Sequence, residues 1–168
     1  MSVNPVDVKA RASSDPGRQL KILGYDEAGV VTATGSNATL FSAGDEIFYA
    51  SSITRPGTDA QFHVVDERLV GHKPRTLTFP EAADLPLTTI TAWEALFDRF
   101  RLTPESPGTL LALGTAGGVG SMITQLARAL ARVTVIGTAS RPESQRCVLD
   151  HGAHHVVDHP GRCSSRPT

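Results

Sequence analysis

A glycine-rich stretch in the second half of the chain has the residue types and spacing to bind a phosphate group. An apolar run over residues 110–113 leads into it, and an apolar helical pattern with almost no charge follows over residues 121–130. A strand, a glycine turn and a helix in this order present backbone N–H groups and the positive end of a helix dipole to an anion. The stretch is therefore a candidate dinucleotide-binding turn, formed by Gly114, Gly117, Gly118, Val119 and Gly120.

The spacing within this turn matches part of the dinucleotide-binding fingerprint. Gly117 and Gly120 stand where one glycine lets the backbone approach the pyrophosphate and another lets the helix pack closely on the strand. Thr115 or Ala116 occupies the place of a further fingerprint glycine. A flexible turn without function is the alternative. A strand before the turn, a helix after it and a second strand close to 20 residues on favour nucleotide binding.

The end of the second predicted strand bears on which cofactor would bind. NAD sites place an Asp or Glu there to bind the ribose 2′-hydroxyl. This chain has no carboxylate over residues 137–141 but carries Ser140 and Arg141. An arginine pairs with a 2′-phosphate in a forked geometry, so the pattern favours NADP(H) over NAD(H). The alternatives are a helix cap for Ser140 and an exposed surface position for Arg141.

A histidine-rich segment near the end of the chain is a candidate metal site. It contains His151, His154, His155 and His159, with Cys147 one helical turn before the first of them. Neighbouring residues along a strand point to opposite faces, which separates the two adjacent histidines. The pattern therefore favours solvated ends of a helix and a strand over a zinc site.

The elements that would position these residues change in character along the chain. Short strands with turns every 10–15 residues suggest a small β-rich domain up to about residue 74. The predicted strands cover residues 28–34, 46–50 and 61–65. A helix is predicted to begin at Pro80 and to be interrupted at Pro86, with a second helix to about residue 101 and a linker over 104–108.

The second part of the chain has a β-α-β-α-β rhythm. The pattern predicts strands at 110–113, 133–137 and 155–157 and a helix at 121–131. A second helix is predicted to begin at a capping box formed by Ser140 and Glu143, and to end at Gly152.

The composition excludes several classes of function. The 168 residues carry a formal net charge of −1, which gives no electrostatic reason to expect nucleic acid or an anionic membrane as a partner. The sequence has no apolar run near the ~20 residues of a membrane span, no secretory signal at its start and only two cysteines, so a cytoplasmic protein is expected.

Together these segments resemble the medium-chain dehydrogenase/reductase superfamily, in its quinone oxidoreductase-like branch, often labelled zinc-type alcohol dehydrogenase-like. The supporting segments lie in the family's order and reach to about Asp158; they cover residues 3–7, 24–31, 44–45, 82–87, 91–93, 117–120, 138–142 and 152–156. The resemblance implies an α/β fold, with a partial GroES-like β-rich domain (1–78) and interdomain helices with a linker (79–107). The first half of a doubly wound parallel Rossmann domain (108–158) and an irregular tail (159–168) follow.

The resemblance also implies a function and site residues. Zinc-free relatives transfer hydride from NADPH to a quinone or an α,β-unsaturated carbonyl, and by likeness Asn4 and Thr91 lie near the nicotinamide or the substrate. The family's zinc-ligand positions correspond to Asn4, Tyr25 and Leu87, which are not a zinc ligand set, so zinc is not expected. The alternatives are a non-catalytic nucleotide-binding remnant and a fragment of a zinc-dependent alcohol dehydrogenase.

Family members are roughly twice this length by the resemblance, and only the first of two βαβαβ halves is present. The strand at 110–113 is then expected at an exposed apolar edge, open to homodimer formation or aggregation. The aperiodic residues 161–168 lead us to expect a truncated or frameshifted product with little catalytic activity.

Overall fold

The computed structural model describes residues 1–13 and 21–158, which form two compact units divided between Leu87 and Thr88. The first unit contains α1 (Pro5–Ser13), β1 (Asp26–Val30), β2 (Glu46–Ala50), β3 (Gly71–His72) and α2 (Phe79–Ala83). Helix α3 (Pro86–Trp93) begins at the division and continues into a π-helical turn (Glu94–Arg99). The second unit then has β4 (Thr109–Ala112), α4 (Gly118–Leu130), β5 (Thr134–Thr138), α5 (Pro142–Asp150) and β6 (His155–Val157).

The first unit is built on a three-stranded antiparallel sheet in the order β1-β2-β3. Asp26 pairs with Ala50 at one end of the β1–β2 ladder, and Val30 pairs with Glu46 at the other. Helix α2 packs on this sheet through Ala82 and Ala83, which form a buried cluster with Ala28 of β1. Strand β2 covers the predicted residues 46–50.

The two other strands predicted for this unit are corrected. Strand β1 begins at Asp26, two residues before the predicted 28–34, because Asp26 and Glu27 already pair with β2. Beyond it, the Val31 N–H still donates to the Asp45 carbonyl at 2.9 Å, after which pairing ends. The strand predicted at 61–65 is wrong. No described strand pairs with this segment, and its apolar residues Phe62 and Val64 are exposed.

The sequence pattern does not predict helix α1, because proline within a polar segment usually breaks a helix. Proline at the first position of a helix is favourable, since its missing N–H would have no helical partner there. The Asp7 carboxylate accepts a hydrogen bond from the Asn4 backbone N–H at 2.7 Å and so provides an acceptor for this donor at the start of the helix. This carboxylate also accepts the Gly24 N–H at 3.2 Å.

The two helices predicted around Pro86 are confirmed. Helix α2 begins after Thr78, whose backbone N–H donates to the Glu81 carboxylate at 2.8 Å in a reciprocal capping box. It ends before Pro86, where α3 begins. The predicted helix to residue 101 continues through the π-helical turn as far as Arg99.

The second unit is built on a three-stranded parallel sheet in the order β4-β5-β6. The β4–β5 ladder runs from the pair Thr109–Thr134 to the pair Ala112–Gly137. The buried core includes Leu96, Ala127, Val135 and Val148. Within the described residues β4 lies at the sheet edge, as predicted, and Leu111 on it is 58% exposed.

The predicted strands and helices of this unit are confirmed with shifts of one to three residues. The largest shift is at α4, which begins at Gly118 and not at Ser121, so two glycines lie inside its first turn. The predicted end of the next helix at Gly152 is confirmed by its positive φ of 100°.

The predicted tail at 159–168 lies outside the described residues, and the predicted domain limits stay predictions. Over residues 1–13 and 21–158, no helix is long and apolar enough to cross a membrane.

Candidate nucleotide-binding site

The glycine turn forms the start of α4 at the carboxyl end of β4. Gly114 has a positive φ of 67°, and its carbonyl accepts the Gly117 N–H at 3.0 Å. Gly117 is the N-cap residue, and the Ser121 N–H donates to its carbonyl at 2.8 Å. Because this is the first helical bond, the N–H groups of Gly118, Val119 and Gly120 have no acceptor within the helix. The predicted glycine residues therefore form one turn that presents backbone donors at a helix N-terminus.

Close packing explains why a glycine is needed at position 120. A Cβ atom there would lie 2.5 Å from the Gly114 carbonyl oxygen and 2.6 Å from the Thr115 Cα. Both are backbone atoms, which cannot move aside by changing a rotamer. At Gly118 a Cβ atom would meet only the Thr88 Cγ2, at 3.0 Å. Gly120 therefore lets the first turn of α4 pack closely against the backbone of Gly114 and Thr115, which follows β4.

Two threonines tie this turn to the end of β5, a feature that the sequence reasoning missed. The Thr115 Oγ1 donates to the Thr138 carbonyl at 3.0 Å and accepts the Thr138 N–H at 3.0 Å. The Thr138 Oγ1 accepts the Gly114 N–H at 3.0 Å. A signal was available in Gly137, because a glycine inside a strand often marks a close approach by another group. A Cβ atom at Gly137 would lie 2.7 Å from the Thr115 Oγ1.

Ser140 and Arg141 both lie exposed between β5 and α5, at the carboxyl end of the strand. The predicted capping box is wrong, because the N-cap residue is Arg141 and no side chain caps the helix. The physical reason is Pro142, which occupies the first helical position and drives the residue before it into extended backbone. Arg141 has φ −100° and ψ 142°, so Ser140 lies outside the helix.

The predicted catalytic residue Asn4 lies in the first unit, where its side chain is fixed by a buried carboxylate. The Asn4 Nδ2 donates to the Asp26 Oδ2 at 2.7 Å, and the Leu87 N–H donates to the Asp26 Oδ1 at 2.7 Å. Burial is the largest cause that raises the pKa of Asp26, and the neighbouring carboxylates of Asp84 and Asp7 raise it further. The other predicted catalytic residue, Thr91, lies exposed on α3 in the second unit.

The three positions that the resemblance matched to zinc ligands do not form a zinc site. The Asn4 amide is bound to Asp26, and Leu87 offers no side-chain ligand. Tyr25 is buried, and its hydroxyl has no hydrogen-bond partner among the described residues. These side chains do not fit a zinc ion.

His154 and His151 of the histidine-rich segment make ordinary structural contacts, and His159 lies outside the described residues. The His154 Nδ1 accepts the Val135 N–H at 2.9 Å, which places that imidazole beside the sheet. The Cys147 Sγ lies 3.8 Å from the His151 Nδ1, one helical turn away. In the part of the chain that the structure describes, no group of three or more His, Cys, Asp or Glu side chains could hold a metal ion.

The first unit also contains a cavity of about 680 Å³ beside β1. Its walls include Ile47, Phe62 and the ring pair of Tyr49 and His63. The Tyr49 hydroxyl lies 2.8 Å from the His63 Nδ1, and the His63 Nε2 lies 3.0 Å from the Pro56 carbonyl. Because a carbonyl only accepts, the His63 Nε2 carries the proton and Tyr49 donates to Nδ1. Burial raises the pKa of Tyr49 to about 12, with a smaller effect from Glu27.

Comparison with known proteins agrees with this architecture. The chain is 43% identical over 163 residues to a zinc-type alcohol dehydrogenase-like protein of Staphylococcus aureus, covering 95% of this chain and 48% of that protein. It is 34% identical over 159 residues to the human quinone oxidoreductase, covering 94% of this chain and 47% of that protein. This chain is homologous to zinc-type alcohol dehydrogenase-like proteins and quinone oxidoreductases, as the resemblance predicts. No family model matches it.

Solved structures give the same result for the fold. A protein from Rhizobium etli, provisionally named a zinc-dependent alcohol dehydrogenase, is 57% identical with a TM-score of 0.86, covering 94% of this chain and 47% of that one. The Escherichia coli quinone oxidoreductase, solved with NADPH, is 29% identical with a TM-score of 0.76, covering 92% of this chain and 46% of that one. The fold is α/β, GroES-like and then partially Rossmann. The chain spans about half the length of these relatives.

Proposed function

We propose that this chain provides the nucleotide-binding part of an NADP(H)-dependent oxidoreductase that acts on a quinone or an α,β-unsaturated carbonyl. One arrangement carries the proposal. A helix N-terminus whose first N–H groups have no acceptor within the helix lies at the end of one parallel strand, and the next strand ends in Ser140 and Arg141 without a carboxylate. The Escherichia coli quinone oxidoreductase solved with NADPH supports the choice of cofactor.

Each part of the site has a role in this proposal. The N–H groups of Gly118 and Val119 donate to the pyrophosphate oxygens at the positive end of α4. Ser140 and Arg141 bind the 2′-phosphate, which Arg141 meets with its forked guanidinium. The cofactor, when bound, supplies the hydride. Asn4 and Thr91 are proposed to orient the substrate or the nicotinamide, and Asp26 fixes the amide of Asn4.

The reaction is proposed to proceed without zinc. Some relatives are named zinc-type, which would suggest a bound zinc ion. In this chain the matching positions are Asn4, Tyr25 and Leu87, which do not provide a set of zinc ligands. Metal analysis of the purified full chain checks this point. We expect far less than one zinc ion per chain, and a stoichiometric zinc that survives dialysis would contradict the proposal.

Nucleotide titration of the full chain tests the cofactor. We expect tighter binding of NADPH than of NADH, and measurable binding of adenosine 2′,5′-bisphosphate. Arg141→Gln should weaken NADPH binding roughly tenfold, because it removes a charge-assisted pair to the 2′-phosphate, and should leave NADH nearly unchanged. Arg146→Gln is the matched control, since Arg146 is an exposed arginine on α5. Equal losses in both variants would mean that net charge alone attracts the nucleotide.

A non-catalytic nucleotide-binding protein is the second candidate. Oxidation of NADPH with a quinone acceptor, followed by the loss of absorbance of the reduced nicotinamide, separates the two. Binding of NADPH without quinone-dependent oxidation would favour the second candidate.

A further inference from the structure

Three hydrogen bonds continue the connection between β4 and β5 beyond the end of their ladder. The last ladder pair is Ala112 with Gly137. After it, the Thr115 Oγ1 bonds to both the N–H and the carbonyl of Thr138, and the Thr138 Oγ1 bonds to the Gly114 N–H, each at 3.0 Å. Main-chain pairing ends here, because the chain turns into the glycine loop after β4 and towards α5 after β5. The two hydroxyls therefore replace the missing main-chain bonds.

Burial makes this connection rigid. Thr115 is fully buried and Thr138 is 4% exposed, so water does not compete for these bonds. The space for the Thr115 hydroxyl exists only because position 137 is a glycine, where a Cβ atom would lie 2.7 Å from that oxygen. The Thr115 hydroxyl is engaged as donor and as acceptor within the protein, and it has no donor left for a phosphate.

The connection joins the two ends of the proposed cofactor site. Thr115 lies two residues before the N-cap Gly117, and Thr138 lies two residues before Ser140. We infer that Thr115 and Thr138 are positioning residues that hold the phosphate-binding turn and the ribose-selecting segment in one fixed relation, and so set the preference for NADP(H) over NAD(H). This inference rests on the proposed function. The forked pairing of an arginine with a phosphate is sensitive to displacements of about 1 Å, so a loosened connection weakens selectivity without removing any contact to the cofactor.

Thr115→Val tests the inference in the full chain, because valine keeps the shape and removes the hydroxyl. Thr124→Val is the matched control. Thr124 is fully buried on α4, and its hydroxyl donates to the Gly120 carbonyl at 3.0 Å, a bond within one helix that does not reach β5. Both variants lose one buried threonine hydroxyl, so a general loss of stability affects both. If Thr115→Val does not fold, Thr138→Val removes the bond to Gly114 alone.

The readout is the ratio of the dissociation constants of NADH and NADPH. We expect Thr115→Val to lower this ratio by roughly fivefold or more and Thr124→Val to leave it within about twofold. In a double-mutant cycle, Arg141→Gln should change the ratio much less in the Thr115→Val background than in the wild type. An unchanged ratio in Thr115→Val, or strictly additive effects with Arg141→Gln, would overturn the inference.

Amide hydrogen exchange on the ligand-free chain tests the connection between β4 and β5 without any nucleotide, so its result does not depend on the proposed function. The Gly114 N–H keeps its acceptor, the Thr138 Oγ1, in Thr115→Val, so faster exchange there reports a loosened turn; we expect it to be roughly tenfold faster than in the wild type, and at the wild-type rate in Thr124→Val. If exchange at Gly114 and Gly117 does not respond to Thr115→Val, the connection does not hold the turn and the inference fails. A wild-type chain that binds neither nucleotide contradicts the proposed function and the assigned selectivity, while exchange still decides whether the connection is rigid.

Discussion

Replacing Gly120 by alanine tests whether the glycine turn is packed as the structure shows. The added Cβ atom would lie 2.5 Å from the Gly114 carbonyl oxygen and 2.6 Å from the Thr115 Cα, where 3.4–4 Å is ordinary contact. Alanine gains about 1 kcal/mol in helix propensity over glycine. Overpacking against backbone costs about 3 kcal/mol, at the upper end of the usual range. We therefore expect Gly120→Ala to lower the free energy of unfolding by about 2 kcal/mol.

Urea denaturation of the full chain, followed by circular dichroism, measures this change. The same variant should weaken NADPH binding at least tenfold at temperatures where it stays folded, because the start of α4 must shift away from β4 and carries its N–H groups with it. Gly117→Ala is the control. Its Cβ atom would lie 3.4 Å from the Gly114 carbonyl oxygen, and we expect a stability loss of at most about 1 kcal/mol from the poorer N-cap. A Gly120→Ala chain as stable as the wild type would refute the packing.

Three further changes probe the first unit. Tyr25→Phe should raise the free energy of unfolding by about 1 kcal/mol in urea, because it removes a buried hydroxyl that has no partner among the described residues; a loss would reveal a partner. Burial raises the pKa of Tyr49 to about 12. An unfolded tyrosine ionises near pH 10, so stability present below pH 10 should fall between about pH 10 and 12, and this decline should flatten in Tyr49→Phe. Glu46→Gln should cost about 2 kcal/mol, because it leaves the Lys73 ammonium, which is 8% exposed, without the carboxylate 3.1 Å away, whereas Lys73→Met should cost less, because it removes the buried charge and leaves Glu46 exposed to water. Similar melting temperatures for the two variants would contradict the assigned burial.

The second unit was largely predictable, because its strands are short apolar runs separated by glycine turns and an amphipathic helix. The first unit was less predictable for a physical reason. An alternating segment such as 61–65 has the pattern of a strand but does not specify a partner strand, and without one it stays irregular. Pro5 shows the converse error, since one residue type both breaks helices and begins them, and the nearby Asp7 carboxylate decides between the two.

The part of the candidate site that depends on backbone conformation and packing could be predicted from the sequence. Gly120 follows from the need for close approach and Gly114 from its positive φ of 67°, and the structure brings both into one turn with Gly117. The role of Thr115 could not be predicted from the fingerprint, which treats any residue there as a missing glycine. Its hydrogen-bond partner is 23 residues away, and only the parallel register of β4 and β5 brings the two together.

Asp26 follows Tyr25, a position that the resemblance matches to a zinc ligand. Its carboxylate is nevertheless explained by hydrogen bonds, without a metal. Both of its oxygens accept hydrogen bonds at 2.7 Å, one from the Asn4 amide and one from the Leu87 N–H. An asparagine offers one acceptor oxygen and would turn its own NH₂ group towards a second donor, so only a carboxyl group with both oxygens free to accept satisfies both partners. Burial raises the pKa of Asp26, and the two donors lower it, so they offset part of the cost of burying the charge. The fixed Asn4 amide and the start of α3 therefore explain this carboxylate, and a zinc ion is not needed to account for it.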